Sequence, residues 1–278
     1  MSEDRYRFKL GNFECLAIRD FSDNGILNEV SKLFSNVDPT ISRPILKSRG
    51  ENPDFIDIPY TCLAVYTEDD WVLIDTGVGS ILGTPEGKLG SILEEENIRP
   101  EHIILSHAHP DHFGGLLDKN GRQNFPNVPV YMCQNEWAIC NTPEYTRGNT
   151  MFAEAIRKYL LPVETQIECI ECHGEILPGF SSIQLPGHTR YQIGILVESS
   201  GEKLIFPSDA IIHPLHLEHL DWQIFIDLDH EVARQTRIQL AEMAIELDAL
   251  VHFFHFPFPG LGKIRRHGKS YRWQAIER

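Results

Sequence analysis

No apolar run in this 278-residue chain approaches the ~20 residues needed to cross a bilayer. The most apolar segment, residues 250–261, is interrupted by His252, His255, Pro257 and Pro259. Basic residues are scarce: 25 Lys and Arg stand against 40 Asp and Glu, a formal charge of −15. That balance argues against nucleic acid or an anionic membrane as a main partner. Cysteine is sparse as well. Its six positions (15, 62, 133, 140, 169 and 172) are scattered, so reduced thiols rather than a disulfide framework are expected. The first residues, Met1-Ser2-Glu3-Asp4-Arg5-Tyr6-Arg7, lack the apolar core of an export signal, which sets a cytoplasmic expectation. Linkers, repeats and low-complexity tracts are missing too, which favours one domain over 1–278. The remainder is ordinary for a globular protein with a sizeable core, at 42% hydrophobic and 23% charged residues.

Short apolar patterns typical of strands occur at 8–19, 61–66, 71–74, 102–106 and 128–132. They return at 167–177, 183–185, 193–197 and 203–206, with a last buried strand expected at 250–254. Helices are expected to open near Asn135-Glu136-Trp137, through much of 142–163, and from an Asp229 N-cap to Leu247. The apolar residues of that last helix are Val232, Ile238, Leu240, Met243, Ala244 and Leu247. Residues 22–55, of mixed polarity and with several prolines, read as a long irregular excursion, a kind of loop that is usually functional. Strands first, helices at intervals and a closing strand–helix–strand unit fit a layered α/β sandwich.

The densest chemistry is His107-Ala108-His109-Pro110-Asp111-His112, four possible metal ligands directly after the strand pattern ending at Ser106. Gly114-Gly115 behind it reads as a turn into a helix. Three imidazoles and a carboxylate make poor core material without partners, and a metal or a metal pair satisfies them all. The same placement recurs three times: His188 follows 183–187, Asp209 follows 204–208, and His255 follows 250–254. Imidazoles and carboxylates suit zinc, manganese, iron or cobalt. Taken singly, each has a plainer reading: a loop histidine at His188, an N-cap at Asp209 and a core histidine at His255. Their joint occurrence outweighs those readings.

With Asp75-Thr76-Gly77 ahead of them, His107-x-His109-x-Asp111-His112, Gly187-His188-Thr189, Ser208-Asp209 and His255 resemble the metallo-β-lactamase superfamily, in its order, from about Phe8 to Trp273. The tail His255-Phe-Pro-Phe-Pro-Gly-Leu-Gly-Lys-Ile-Arg265 resembles the methyl parathion hydrolase-like branch, to which lactonases also belong, and selects His255 over His252. The resemblance implies a four-layer αββα sandwich and a dinuclear site holding two divalent ions, zinc first. His107, His109 and His188 would hold one ion; Asp111, His112 and His255 the other; Asp209 would bridge. A water or hydroxide between the ions would be the nucleophile, with a pKa of roughly 7. Asp111 would also protonate the leaving group, and Asp75 would orient the site without ligating. Phe256, Phe258, Ile212 and His213 are candidates for the substrate pocket.

Lactones of the acyl-homoserine type, or other carboxylic esters, are the expected substrates; phosphotriesters and aryl esters come next. Glyoxalase II-like thioester hydrolysis and persulfide dioxygenation are further alternatives. Ile212 stands where some lactonases of the superfamily carry a tyrosine, and Arg190-Tyr191-Gln192 replaces the common Pro-Gly-His, so the substrate is the open point. A homodimer is compatible with the resemblance. Cys169-Ile-Glu-Cys172-His173 matches a haem-attachment pattern, but sits in a strand pattern with no export signal. His213, His216 and His219 recur at helical spacing and are expected on a solvated face. Trp137 and Trp222 are expected to be packing residues.

Overall fold

A computed structural model describes residues 3–23, 29–81 and 86–276. Strands β1 (Arg5–Leu10), β2 (Phe13–Asp23), β3 (Ile58–Tyr66) and β4 (Trp71–Ile74) form an antiparallel meander. Strands β5 (His102–Leu105), β6 (Val130–Cys133) and β7 (Ile167–Ile170) extend it in parallel, giving a seven-stranded sheet in sequence order. The second sheet runs from β8 (Gly174–Leu177) through β9 (Phe180–Gln184), β10 (Ile193–Ser199), β11 (Glu202–Phe206) and β12 (Leu250–His252) to β13 (Leu261–His267) and β14 (Ser270–Ala275). Only β11 and β12 pair in parallel there.

Strand alternation builds the layers. Leu204 and Phe206 join Ile195 and Val197 in the core shared with the first sheet, where Leu63, Val65, Leu73 and Ile104 also lie. Ile205 and Val251, one residue out of phase, turn to the other face and meet Leu240, Ala241 and Ala244 of a helix. Helices thus cover the two facing mixed sheets, the expected αββα sandwich. At ~25 cal/mol per Å² of apolar area removed from water, burial of these two clusters is the main term holding the layers together.

Helices α1 (Val30–Leu33) and α2 (Pro39–Ser48) occupy the excursion that was expected to be irregular; residues 24–28 of it lie outside the described residues. Asp38 caps α2 by accepting from Thr40 N at 2.8 Å, and Pro39 at the first position suits a helix start rather than breaking one. α3 (Leu89–Glu95) and α4 (Pro110–Phe113) flank β5. α4 begins inside the histidine cluster, so Gly114-Gly115 is not a turn before a helix but its short 3-10 continuation. A Cβ on Gly114 would lie 2.2 Å from Val78 O, which is why the chain is bare there.

α5 (Gln134–Cys140), α6 (Pro143–Arg147) and α7 (Met151–Ala155) follow β6, and helical turns continue to Gln166. α8 (Leu215–Glu218) precedes α9 (His230–Glu246), which starts at the expected Asp229 cap, whose side chain accepts from Glu231 N and Val232 N. The buried face of α9 is rotated from the expected one: Ala233, Thr236, Arg237, Leu240, Ala241 and Ala244 point inward. Two other expectations fail. The strand at Leu250 is not the last, because the half-exposed alternation of 261–275 forms the β13–β14 hairpin. Cys133 and Cys172 form a disulfide with Cα atoms 4.9 Å apart, because the end of β6 and the β7–β8 connection meet at the sheet edge. Cys15, Cys62, Cys140 and Cys169 are free thiols. No described helix is long and apolar enough to cross a membrane.

Candidate metal centre

All seven expected ligands meet at one edge of the sandwich. The first sheet sends His107, His109, Asp111 and His112 from the end of β5. The second sends His188 from the β9–β10 connection, Asp209 from the end of β11 and His255 from beyond β12. Two groups result, each with ligand atoms within 4.8 Å of one another: His107, His109, His188 and Asp209; and Asp111, His112, Asp209 and His255. Asp209 belongs to both. Its Oδ2 lies 3.3 Å from His188 Nε2 and 3.3 Å from His255 Nε2, and its Oδ1 3.2 Å from His112 Nε2.

The donor atoms meet a specific test of fit for a cation. Nε2 of His107, His112 and His255 and Oδ1 of Asp209 are buried without a hydrogen-bond partner. Such groups are costly to leave unsatisfied. Several approach one another at 3.2–3.4 Å without hydrogen-bond geometry, which is how lone pairs crowd around an ion. Nitrogen and carboxylate donors without thiolate suit zinc and its neighbours.

Behind the donors, the opposite ring nitrogens are held from outside. His112 Nδ1 donates to Asp75 Oδ2 at 2.7 Å, so Asp75 lies behind a histidine and outside both groups. Asp75 also accepts from Ser106 N and Oγ, both at 2.8 Å. His255 Nδ1 donates to Pro59 O at 3.0 Å, and His188 Nδ1 faces Asp227 Oδ1 at 3.0 Å. Outward Nδ1–H bonds leave Nε2 as the inward lone pair.

Electrostatics follow from this crowding. Burial lowers the pKa of His107 well below the imidazole range, helped by the neighbouring His112 and His109. Burial opposes charge on His112 too, yet Asp209, Asp111 and Asp75 outweigh it and raise its pKa well above the usual value. For His188 and His255 the carboxylates also prevail over burial and raise the pKa to about 9. Burial pushes Asp209 up, but His255 and His112 hold it well below the carboxylate range.

Beside His109 and His188 opens a cavity of about 530 Å³, lined by Ile139, Tyr145, Phe152, Ile226 and Leu228 among others. The insertion 142–163 contributes Thr142, Glu144, Tyr145 and Phe152 to its wall. Residues 30–58 do not cover it; they pack on Ile212, Leu215, Trp222 and Ile224 instead. The expected pocket residues are corrected accordingly. Phe256 is fully buried and stacks on Phe253 at 3.9 Å, with Trp273 edge-on. Phe258 lies under the Arg19 guanidinium, and Ile212 belongs to the packing just described. His213 is buried with Nε2 3.0 Å from Glu51 Oε2, and His216 donates to Leu33 O, so these histidines are not on a solvated face.

Three residues to which the sequence reading assigned no role at the site support it. Glu136, buried on α5, accepts from Ala108 N at 3.1 Å and Thr189 Oγ1 at 3.2 Å, tying the two histidine loops together. Burial raises its pKa. Asp227 accepts from Arg237 Nη2 at 2.6 Å on its second oxygen. Ser208 joins Ser106 behind His107.

The metallo-beta-lactamase superfamily profile matches residues 57–252. An N-acyl homoserine lactonase of Bacillus sp. is 27% identical over 227 residues, 73% of this chain and 83% of its own length. AidC, a dizinc quorum-quenching lactonase solved in complex with a product, superposes with a TM-score of 0.86 at 24% identity, over 99% of this chain and 98% of its own. The hydrolase AbOPH of the beta-lactamase superfamily gives 0.89 at 24% identity, over 100% and 99%. At those identities the likeness to the solved structures is one of fold.

Proposed function

This chain belongs to the metallo-beta-lactamase superfamily, and from that premise we propose that it is a single-domain, dinuclear metal-dependent hydrolase that opens lactones of the N-acyl homoserine type. The observation that carries the reading is the sharing of Asp209 between two four-residue ligand groups. The homoserine lactonase relatives favour a lactone over the other esters. Two zinc ions would supply a water acidified to a pKa of roughly 7 and a Lewis acid for the carbonyl oxygen. His107, His109 and His188 would hold one ion, Asp111, His112 and His255 the other, and Asp209 both.

The rest falls to the chain. The cavity wall of Ile139, Phe152, Ile226 and Leu228 takes the acyl group and excludes water from it. The side chain of Asp111 is 18% exposed, the most open carboxylate of the two groups. Its carboxylate would collect the proton released by the attacking water and pass it to the ring oxygen as the acyl–oxygen bond breaks. Asp75, Asp227 and Pro59 O hold the imidazoles in the ligating tautomer throughout.

Metal analysis combined with a panel of acyl-homoserine lactones, simple lactones, aryl esters, phosphotriesters and thioesters tests the reading. Two zinc equivalents and lactone turnover well above the rest are expected, with both lost together in Asp209→Ala. Lactone hydrolysis by fully metal-free protein would refute it.

A further inference from the structure

Ser208 sits at φ +51°, in the left-handed region where glycine is the unstrained choice, and it is fully buried directly before Asp209. What a serine adds over glycine there is its hydroxyl. Ser208 Oγ donates to Ser106 Oγ at 2.7 Å and lies 3.3 Å from His107 Nδ1. Ser106 Oγ in turn donates to Asp75 Oδ2 at 2.8 Å and lies 3.1 Å from the same Nδ1.

Two of the four contacts fix where the hydroxyl protons go. The Asp75 carboxylate only accepts, so Ser106 spends its proton there; Ser208 spends its proton on Ser106. Both hydroxyl oxygens therefore turn lone pairs toward His107 Nδ1, which must carry the imidazole proton. Nε2, the buried atom without a partner, is then left as the lone pair facing the metal group.

We propose that Ser208 is a positioning residue that favours the Nδ1–H tautomer of His107: with its own proton given to Ser106, its oxygen presents a second acceptor, beside that of Ser106, to His107 Nδ1. Through Asp75, which also holds His112, the same hydroxyl relay joins the two ligand groups. The proposal rests on the metal reading above. Its backbone strain is the reason the side chain needs an explanation at all.

Two variants separate hydroxyl from strain. Ser208→Gly removes both; Ser208→Ala removes only the hydroxyl. In metal-free protein labelled at the imidazole nitrogens, the NMR spectrum of wild type should show His107 as one tautomer, and both variants should show a mixture. Zinc titration against a competing chelator should show the tighter loss, about tenfold, at the His107 group in both variants, with a smaller change at the Asp111 group. Wild-type tautomer and affinity in the glycine variant, with weakening only in the alanine variant, would assign the effect to strain and overturn the proposal. Unchanged spectra in both would overturn it as well. Failure of wild type to take up zinc would instead refute the metal reading, and the imidazole spectra would still decide the role of Ser208.

Discussion

Replacing Asp227 with Asn removes one negative charge from a place where two functions depend on it. The Arg237 guanidinium is 2% exposed, and among the described residues Asp227 is its one carboxylate partner, at 2.6 Å; Nη1 donates to Trp222 O and Nε to Ala210 O. Burial pulls the guanidinium pKa below its usual value, and Asp227 is what opposes that. Removing one partner of a buried pair costs about 3–5 kcal/mol. The two carbonyls remain, so the lower end applies, about 3 kcal/mol. At ~2–4 °C per kcal/mol for a chain of this order of size, the midpoint falls by about 9 °C. Asparagine has one acceptor oxygen for two donors, Arg237 Nη2 and His188 Nδ1, so the imidazole also loses its anchor. Zinc affinity at the His107 group should drop on the order of tenfold. Urea unfolding of metal-free protein reads the first effect and chelator competition the second. Adding Arg237→Met removes the uncompensated charge, so the double variant should recover stability while zinc binding stays weak. A loss below about 1 kcal/mol in the single variant, or zinc affinity that recovers together with stability, would refute the reasoning.

In metal-free protein the raised pKa values of His188 and His255, about 9 against 6.5 in the unfolded chain, contribute stability that is fully present below pH 6.5 and is lost as pH rises through 9. Urea midpoints in chelator should therefore fall between pH 6.5 and 9, and zinc should flatten that dependence because ligating imidazoles are neutral. The Cys133–Cys172 bridge closes a separation of 39 residues, worth about 4 kcal/mol by chain entropy, so a reductant should lower the urea midpoint; alkylation in denaturant without reductant that labels all six cysteines would contradict the bridge. Gly187→Ala would set a Cβ 2.4 Å from the Ala233 backbone at φ +127°, and should cost about 3 kcal/mol of stability as well as zinc affinity at the adjacent His188.

What was legible in the sequence has a common cause. A ligand has to stand where a strand ends, so a buried apolar run followed by His or Asp marks it, as at His107, His188, Asp209 and His255. What was not legible depends on contacts that leave no periodic trace. Asp227 lies in an unpatterned loop and Glu136 on a short helix, and each is identified only by what it touches in three dimensions. Arg237, whose buried guanidinium requires a buried acid, would have pointed to Asp227, but it lies on a face of α9 that the apolar periodicity does not select. The helices of 30–48 were obscured by their prolines, since Pro39 at a first turn and Pro44 within a helix look alike in one dimension. The pocket walls are not legible because the apolar residues of 253–258 read equally well as cavity wall or as core; edge-on contacts with Trp273 place Phe253 and Phe256 in the core.

The supporting bonds also show why the site lies at a seam. Ile193 N donates to Ser106 O at 3.0 Å and Thr61 N to Phe254 O at 2.9 Å, so each sheet's backbone reaches the other beside the ligands. His255 Nδ1 on Pro59 O makes a third such tie, and Ser208 on Ser106 a fourth. Four of the seven ligands come from the first sheet and three from the second, so the donor atoms can be gathered only when the sheets are docked in register. The central core supplies that docking, and the edge bonds convert it into positions accurate enough for ligation. A dinuclear reading therefore requires both layers of the fold, and the hydroxyls and acids behind the imidazoles belong to the metal centre as much as the donors do.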